Sequence, residues 1–218
     1  MKKEPTPADF AKAIAQHVMT IEHDAGVYRS LHFGKPGSSI QSFRIVTFPG
    51  SLVYTGDMGT FVFERLRDMF QFFRRETINP QYWAEKVQAA DRCDGLKTFS
   101  EEKWAEAVRD ELKQFLERYA DDGDGEWFRH ARVIWPEVKS LIRGGASNSY
   151  EAVDATQHFE CDDADGEQVG SRIFEGFWER SVEEYSYRFI WCCRALVWAI
   201  AQYDAAKAPQ AALEEAAQ

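Results

Sequence analysis

The sequence lacks the short motifs that announce a chemistry. It has no GxSxG elbow, no Walker loop, no GxGxxG and no HExxH. Gly34-Lys35-Pro36-Gly37-Ser38-Ser39 has the letters of a phosphate loop in the wrong order, with no helix expected after it. Cysteine is scarce: Cys93, Cys161, Cys192 and Cys193 form no CxxC pair. Cys192 and Cys193, adjacent on a helix, would point about 100° apart, so they should not bridge each other. All four read as small buried hydrophobes in a reducing compartment. Long apolar runs are missing too. The longest, Phe189 to Ala201, is interrupted by Arg194 and falls well short of the roughly 20 residues that a membrane span requires. Met1-Lys2-Lys3-Glu4-Pro5 leads into no apolar core, so no secretory leader is expected. These absences predict a soluble cytoplasmic chain without cofactor, metal or membrane partner.

Aromatic side chains are abundant: 16 Phe, 8 Tyr and 7 Trp in 218 residues. Rings bury large areas, so a chain of this length can build its core without disulfide or metal. Charge is abundant as well, and lopsided. Residues 1–100 hold 13 Lys+Arg against 11 Asp+Glu, whereas residues 101–218 hold 13 against 25, a balance of −12 within a net −10. Such a half repels nucleic acid at long range and favours cationic partners, although acidity also simply keeps proteins soluble.

The pattern of apolar residues predicts an α+β fold. Thr6-Pro7-Ala8-Asp9 is a capping box, and Phe10, Ile14, His17 or Val18, and Ile21 recur at helical spacing up to Gly26. The period then shortens. Val27–Phe33, Ile40–Phe48, Ser51–Thr55 and Thr60–Glu64 alternate between turn sequences, and short connections between successive strands require an antiparallel meander of four strands. Helical spacing returns with Leu66, Met69, Phe70 and Phe73. A second helix should begin at Asn79-Pro80 and carry Tyr82, Trp83 and Val87. A third, from Ser100, carries Trp104, Val108, Leu112, Phe115 and Tyr119. A helix from Glu126 should stop near Trp135, because Pro136 cannot continue it. Asn148 with Glu151 caps a short helix, and residues 161–170 read as a loop. Ser181-Val182-Glu183-Glu184 looks like a capping box opening a last helix, apolar over most of its circumference and therefore central to the core. The expected organisation is one domain over 1–206, with the sheet at 27–64, helices at 66–206 and a frayed tail at 207–218.

Several residues invite a functional reading. Asp57 in Gly56-Asp57-Met58-Gly59 could be a general base, but the same tetrapeptide suits a hairpin turn and no second acid or histidine is near in sequence. Arg65, Arg67, Arg74 and Arg75 interleave with Phe70, Phe72 and Phe73 and could grip an anion. At helical spacing the rings would instead face the core and the arginines water. From Cys161, a calcium-loop register finds Asp163, Asp165 and Gly166, then fails with cysteine at the first position and Arg172 at the twelfth. His158, Glu160, Cys161 and Asp162 offer ligand types with no second cluster to complete a shell, while His17, His23, His32 and His130 are scattered singly. The remaining feature is acidic surface: Asp121, Asp122, Asp124 and Glu126 in one loop, Asp162, Asp163, Asp165 and Glu167 in another. These eight are the expected partner-binding residues.

Tyr54-Thr55-Gly56-Asp57-Met58-Gly59-Thr60-Phe61, Arg67-Asp68-Met69-Phe70-Gln71-Phe72-Phe73-Arg74 and Ile78-Asn79-Pro80-Gln81-Tyr82-Trp83-Ala84-Glu85-Lys86 resemble a family of uncharacterised phage and prophage accessory proteins. Phe189-Ile190-Trp191-Cys192-Cys193 with Gln202-Tyr203-Asp204 also resembles that family's C-terminal end. The resemblance spans most of the chain, least over 100–160, and brings no catalytic residues with it. It implies a protein acting in the cytoplasm of an infected host. The leading expectation is a non-catalytic inhibitor or modulator of a host protein with a basic surface, such as an anti-phage defence complex of the CRISPR type. The alternatives are an enzyme acting on a nucleotide or phosphorylated small molecule through Asp57 and the arginines, and a structural or oligomeric phage protein.

Overall fold

A computed structural model describes residues 4–118 and 126–216, the side chains of 126 and 210–216 excepted. The architecture is α+β: an N-terminal helix, a six-stranded antiparallel meander, then a mostly helical part ending in a long helix. The chain divides into two compact units, Met1–Lys97 with Tyr185–Gln218, and Thr98–Glu184. Each has its own apolar core.

The first unit is built on the sheet β1 (Val18–Ala25), β2 (Tyr28–Gly34), β3 (Phe43–Phe48), β4 (Ser51–Gly56), β5 (Gly59–Glu64) and β6 (Val87–Ala89), paired in chain order. Period-two alternation sends Leu31, Phe33, Phe43, Ile45, Leu52, Tyr54, Phe61 and Phe63 to one buried face. Register then aligns rings across strands. Phe33 pairs with Phe43 and the two stack at 4.9 Å. Phe43 stacks on Tyr54 at 5.3 Å. Helix α8 (Tyr187–Ala216) lies against this face, with Trp191 edge-on to Phe43 and Phe189 against Phe61. Helix α1 (Pro7–Ile14) closes over it through Phe10, whose ring meets Trp191 at 5.1 Å. Phe189 to Cys193 are five consecutive buried residues, which only a helix enclosed on more than one side permits.

Four expectations require correction. The first helix stops at Ile14, and Val18–Ala25 is the edge strand β1, so the sheet extends beyond the four strands read from sequence. Val18 and Ile21 are exposed, and their apparent place on a helical stripe was coincidence. Val18, Thr20 and Ile21 are β-branched and prefer a pleated surface, and pairing with β2 decides the matter. The second helix is short: α3 (Pro80–Ala84) gives way to β6, which moves Val87 from helix to sheet. The apparent capping box at Ser181 is no cap. Glu183–Tyr185 forms β8, which pairs with β7 (Lys97–Phe99), and α8 begins two residues later with the Ser186 hydroxyl accepting the Phe189 N–H at 3.1 Å.

The fourth correction lies in the second unit. Helix α5 (Glu126–Gly144) runs straight through Pro136. Its partner is α4 (Glu101–Glu117), capped by Ser100 and buried along Trp104, Val108, Leu112 and Phe115. The buried face of α5 is His130, Ile134 and Val138, four residues apart, and burying that stripe outweighs the hydrogen bond that proline removes. Tyr119, expected on the α4 stripe, lies outside the described residues. Helix α6 (Ser149–Gln157) begins as expected, with the Asn148 side chain accepting the Glu151 N–H at 2.9 Å, and the short α7 (Gly170–Ile173) follows it. Among the described residues no helix is long and apolar enough to cross a membrane.

Candidate functional site

The structure gives Asp57, Arg74 and Arg75 partners within the protein and spreads the basic cluster apart. Asp57 sits in the β4–β5 turn, and its carboxylate accepts the Gln41 N–H at 2.8 Å. Gln41 has φ of 56°, a left-handed conformation, so this bond braces a strained loop rather than poising a base. The arginines do not converge. Arg74 forms a two-pronged ion pair with Asp204 at 2.7 and 2.9 Å, and Arg75 leans on the Phe72 carbonyl at 3.5 Å. Those two share a cleft with Glu76, whereas Arg65 lines a different one beside Glu64. Arg67 is exposed, while Phe70, Phe72 and Phe73 are buried as their spacing predicts.

Charge is sorted by unit. Thr98–Glu184 contains 22 Asp+Glu and 10 Lys+Arg, a balance of −12, and the rest of the chain contains 14 and 16, a balance of +2. Within the acidic unit the expected partner-binding residues fall into three groups. Asp121, Asp122 and Asp124 lie outside the described residues, as does the side chain of Glu126. Asp162 and Glu167 are exposed beside Glu160 on a loop held by an isolated bridge between Asp162 and Gln168. Asp163 and Asp165 are engaged by other groups of the same unit.

Asp163 is only 7% exposed and points inward. One of its oxygens accepts the N–H groups of Asp165 and Glu167 at 2.8 and 3.0 Å. The other lies 3.4 Å from Nδ1 of His130, which is itself 2% exposed. Burial works to raise the Asp163 pKa, but those two N–H groups, with His130 and Arg129 nearby, outweigh it and hold the carboxyl below its usual value. Asp165 is clamped by Arg129, with Nη1 to Oδ1 at 2.7 Å and Nη2 to Oδ2 at 2.9 Å, and its Oδ2 is 3.7 Å from Nε2 of His130. The imidazole thus lies between two carboxylates.

This His130–Asp163–Asp165 constellation escaped the reading from sequence, because a helix and a distant loop have to meet to make it. A signal was present all the same: a histidine at the first position of the apolar stripe His130, Ile134, Val138. His158, the histidine that sequence proximity favoured, is exposed and hydrogen-bonds the Asp154 carbonyl in its own helix at 3.0 Å. Cys161 is buried, which pushes its thiol up to about 11, and the charges of Asp162, Glu137 and Asp163 act in the same direction.

The acidic unit also presents large rings to solvent: Phe128 is 59% exposed, Tyr150 79% and Trp178 59%. Leu112 and Leu116 of α4 with Trp127 and Trp135 of α5 line an open cleft of about 460 Å³, rimmed by Arg109 and Lys113. No family model matches the chain, and no curated protein or solved structure matches it either.

Proposed function

We propose that this protein works by binding: its Thr98–Glu184 unit engages a host protein with a basic surface and thereby inhibits or modulates it. The observation that carries the reading is the coincidence of charge with structure, since the −12 balance falls entirely within one compact unit and leaves the other near neutrality. Like charge concentrated on one unit speeds encounter with an oppositely charged surface and rejects nucleic acid. Phe128, Tyr150 and Trp178 add exposed aromatic surface of the kind enriched at the centres of protein interfaces. The infected-host setting, and a defence complex of the CRISPR type as the target class, rest on the sequence resemblance. The reading as a nucleotide-acting enzyme loses support from the backbone-bound Asp57 carboxylate and the Arg74–Asp204 pair.

The test is affinity capture of the tagged chain from host cells, followed by mass spectrometry. The captured protein should be basic. It should be released as salt approaches about 1 M, where the screening length falls to about 3 Å. A partner that is acidic, or that stays bound at that salt, contradicts an electrostatic interface.

A further inference from the structure

We propose that His130, Asp163 and Asp165 form a binding site for one divalent transition-metal ion of the zinc type. The site belongs to the acidic unit but does not depend on the binding role proposed above. Imidazole nitrogen and carboxylate oxygen are donors that zinc and its neighbours accept, with bonds of about 2.0–2.2 Å. One donor atom from each of the three residues lies within 4.8 Å of the other two. Closing that spread around a single ion requires the exposed Asp165 side chain to turn towards the ring.

Three features separate this group from an ordinary run of surface acids. His130 is almost wholly enclosed and faces both carboxylates, at 3.4 and 3.7 Å. Asp163 is fixed in place before any ion arrives, because one of its oxygens is held by two backbone N–H groups while the other faces the ring. The loop supplies two carboxylates at alternate positions, Asp163 and Asp165, and α5 supplies the imidazole from a packed face. The donors therefore rest on a helix and a braced turn, not on mobile side chains.

The Arg129 clamp on Asp165 opposes the ion. Binding must loosen at least one of those two hydrogen bonds, so Arg129 lowers affinity, and removing it should raise affinity. A purely structural histidine–carboxylate cluster would show no such response.

The full chain, freed of metal with a chelator, is titrated with Zn²⁺ by calorimetry and with Co²⁺ by visible absorption. The proposal expects one equivalent of each ion bound, with cobalt ligand-field bands appearing on titration. Asp165→Asn changes an exposed carboxylate and should leave folding intact while weakening binding roughly ten- to hundred-fold. His130→Gln should weaken it at least as much, Arg129→Gln should tighten it, and His158→Gln should leave it unchanged. Absence of saturable binding below about 1 mM, the weak end of useful site affinities, overturns the proposal. Binding that survives Asp165→Asn unchanged also overturns it, because the ion would then sit elsewhere.

Discussion

Arg29 and Asp68 meet through two parallel hydrogen bonds of 2.9 and 3.1 Å, with the guanidinium stacked 4.5 Å above the Phe70 ring. Asp68 also caps the short helix α2 (Met69–Phe73) by accepting the Phe70 N–H at 3.0 Å. The Arg29 Nε reaches the Tyr203 hydroxyl at 3.4 Å, and that hydroxyl donates to Asp24 at 2.8 Å. One side chain on β2 therefore joins β1, α2 and α8 within the first unit.

Removing one partner of a mostly buried pair leaves the other charge uncompensated. Arg29→Ala should lower unfolding stability by about 3–5 kcal/mol in denaturant titration. Arg29→Lys keeps the charge but loses the fork and the stacking, so it should fall between wild type and alanine. A loss below about 1 kcal/mol, the range of exposed pairs, would show that solvent screens this one.

The same pair sets an acid limb. Burial raises the Asp68 pKa, but the hydrogen bonds from Arg29 and the Phe70 N–H, with the charges of Arg29 and Arg74, more than offset it and the folded pKa is lowered. A carboxyl whose folded pKa is depressed contributes stability that is present above its unfolded pKa of about 4 and lost as pH falls through the folded value. Asp68→Asn should be less stable than wild type at pH 7 and lose less stability on acidification below about pH 4. Parallel acid limbs for the two proteins would place the titration on other groups.

Two glycines are sites of close backbone approach. A Cβ at Gly56 would press on the Ser42 carbonyl oxygen and lie 2.7 Å from the Phe43 Cα, because Phe43 is its cross-strand partner. A Cβ at Gly170 would press on the Phe159 carbonyl oxygen. Backbone cannot swing aside as a side-chain end can. Each Gly→Ala change should cost about 1–3 kcal/mol or more, against a smaller cost at Gly37, where φ is +75° but nothing lies within 4 Å. Thermal unfolding of the three variants checks the ranking.

Pro136 offers the opposite sign. Inside α5 it forgoes one helical hydrogen bond. Pro136→Ala should stabilise the protein by roughly 1–3 kcal/mol, read as a higher unfolding midpoint. Destabilisation would mean that the proline ring packs in a way alanine cannot replace.

These elements also show what could be read from sequence. The alternation of Leu31, Phe33, Phe43, Ile45, Leu52, Tyr54, Phe61 and Phe63 is a local signal, and the meander followed from it. So did the Asn148 cap, the α4 stripe and the enclosed final helix. The strand at Val18–Ala25 was hidden, because an exposed edge strand has no buried face to impose alternation. Pro136 misled, because tertiary burial overrode a strong local preference. The site was less legible still. Asp163 is an acidic loop residue in sequence, and its meeting with His130 needs α5 to reach that loop. Pairings such as Arg74 with Asp204, 130 residues apart, leave no trace in local composition.

Electrostatic binding through the acidic unit is tested by the affinity of the captured partner for two charge-matched variants. One carries Glu160→Lys, Asp162→Lys and Glu167→Lys, exposed positions that spare the inward-facing Asp163 and the clamped Asp165. The other carries Glu4→Lys, Glu76→Lys and Glu85→Lys, exposed positions in the first unit. The first variant should bind at least about tenfold more weakly, a change of about 1.4 kcal/mol, and the second should match wild type. Equal affinities for the two variants would contradict an electrostatic interface on the acidic unit.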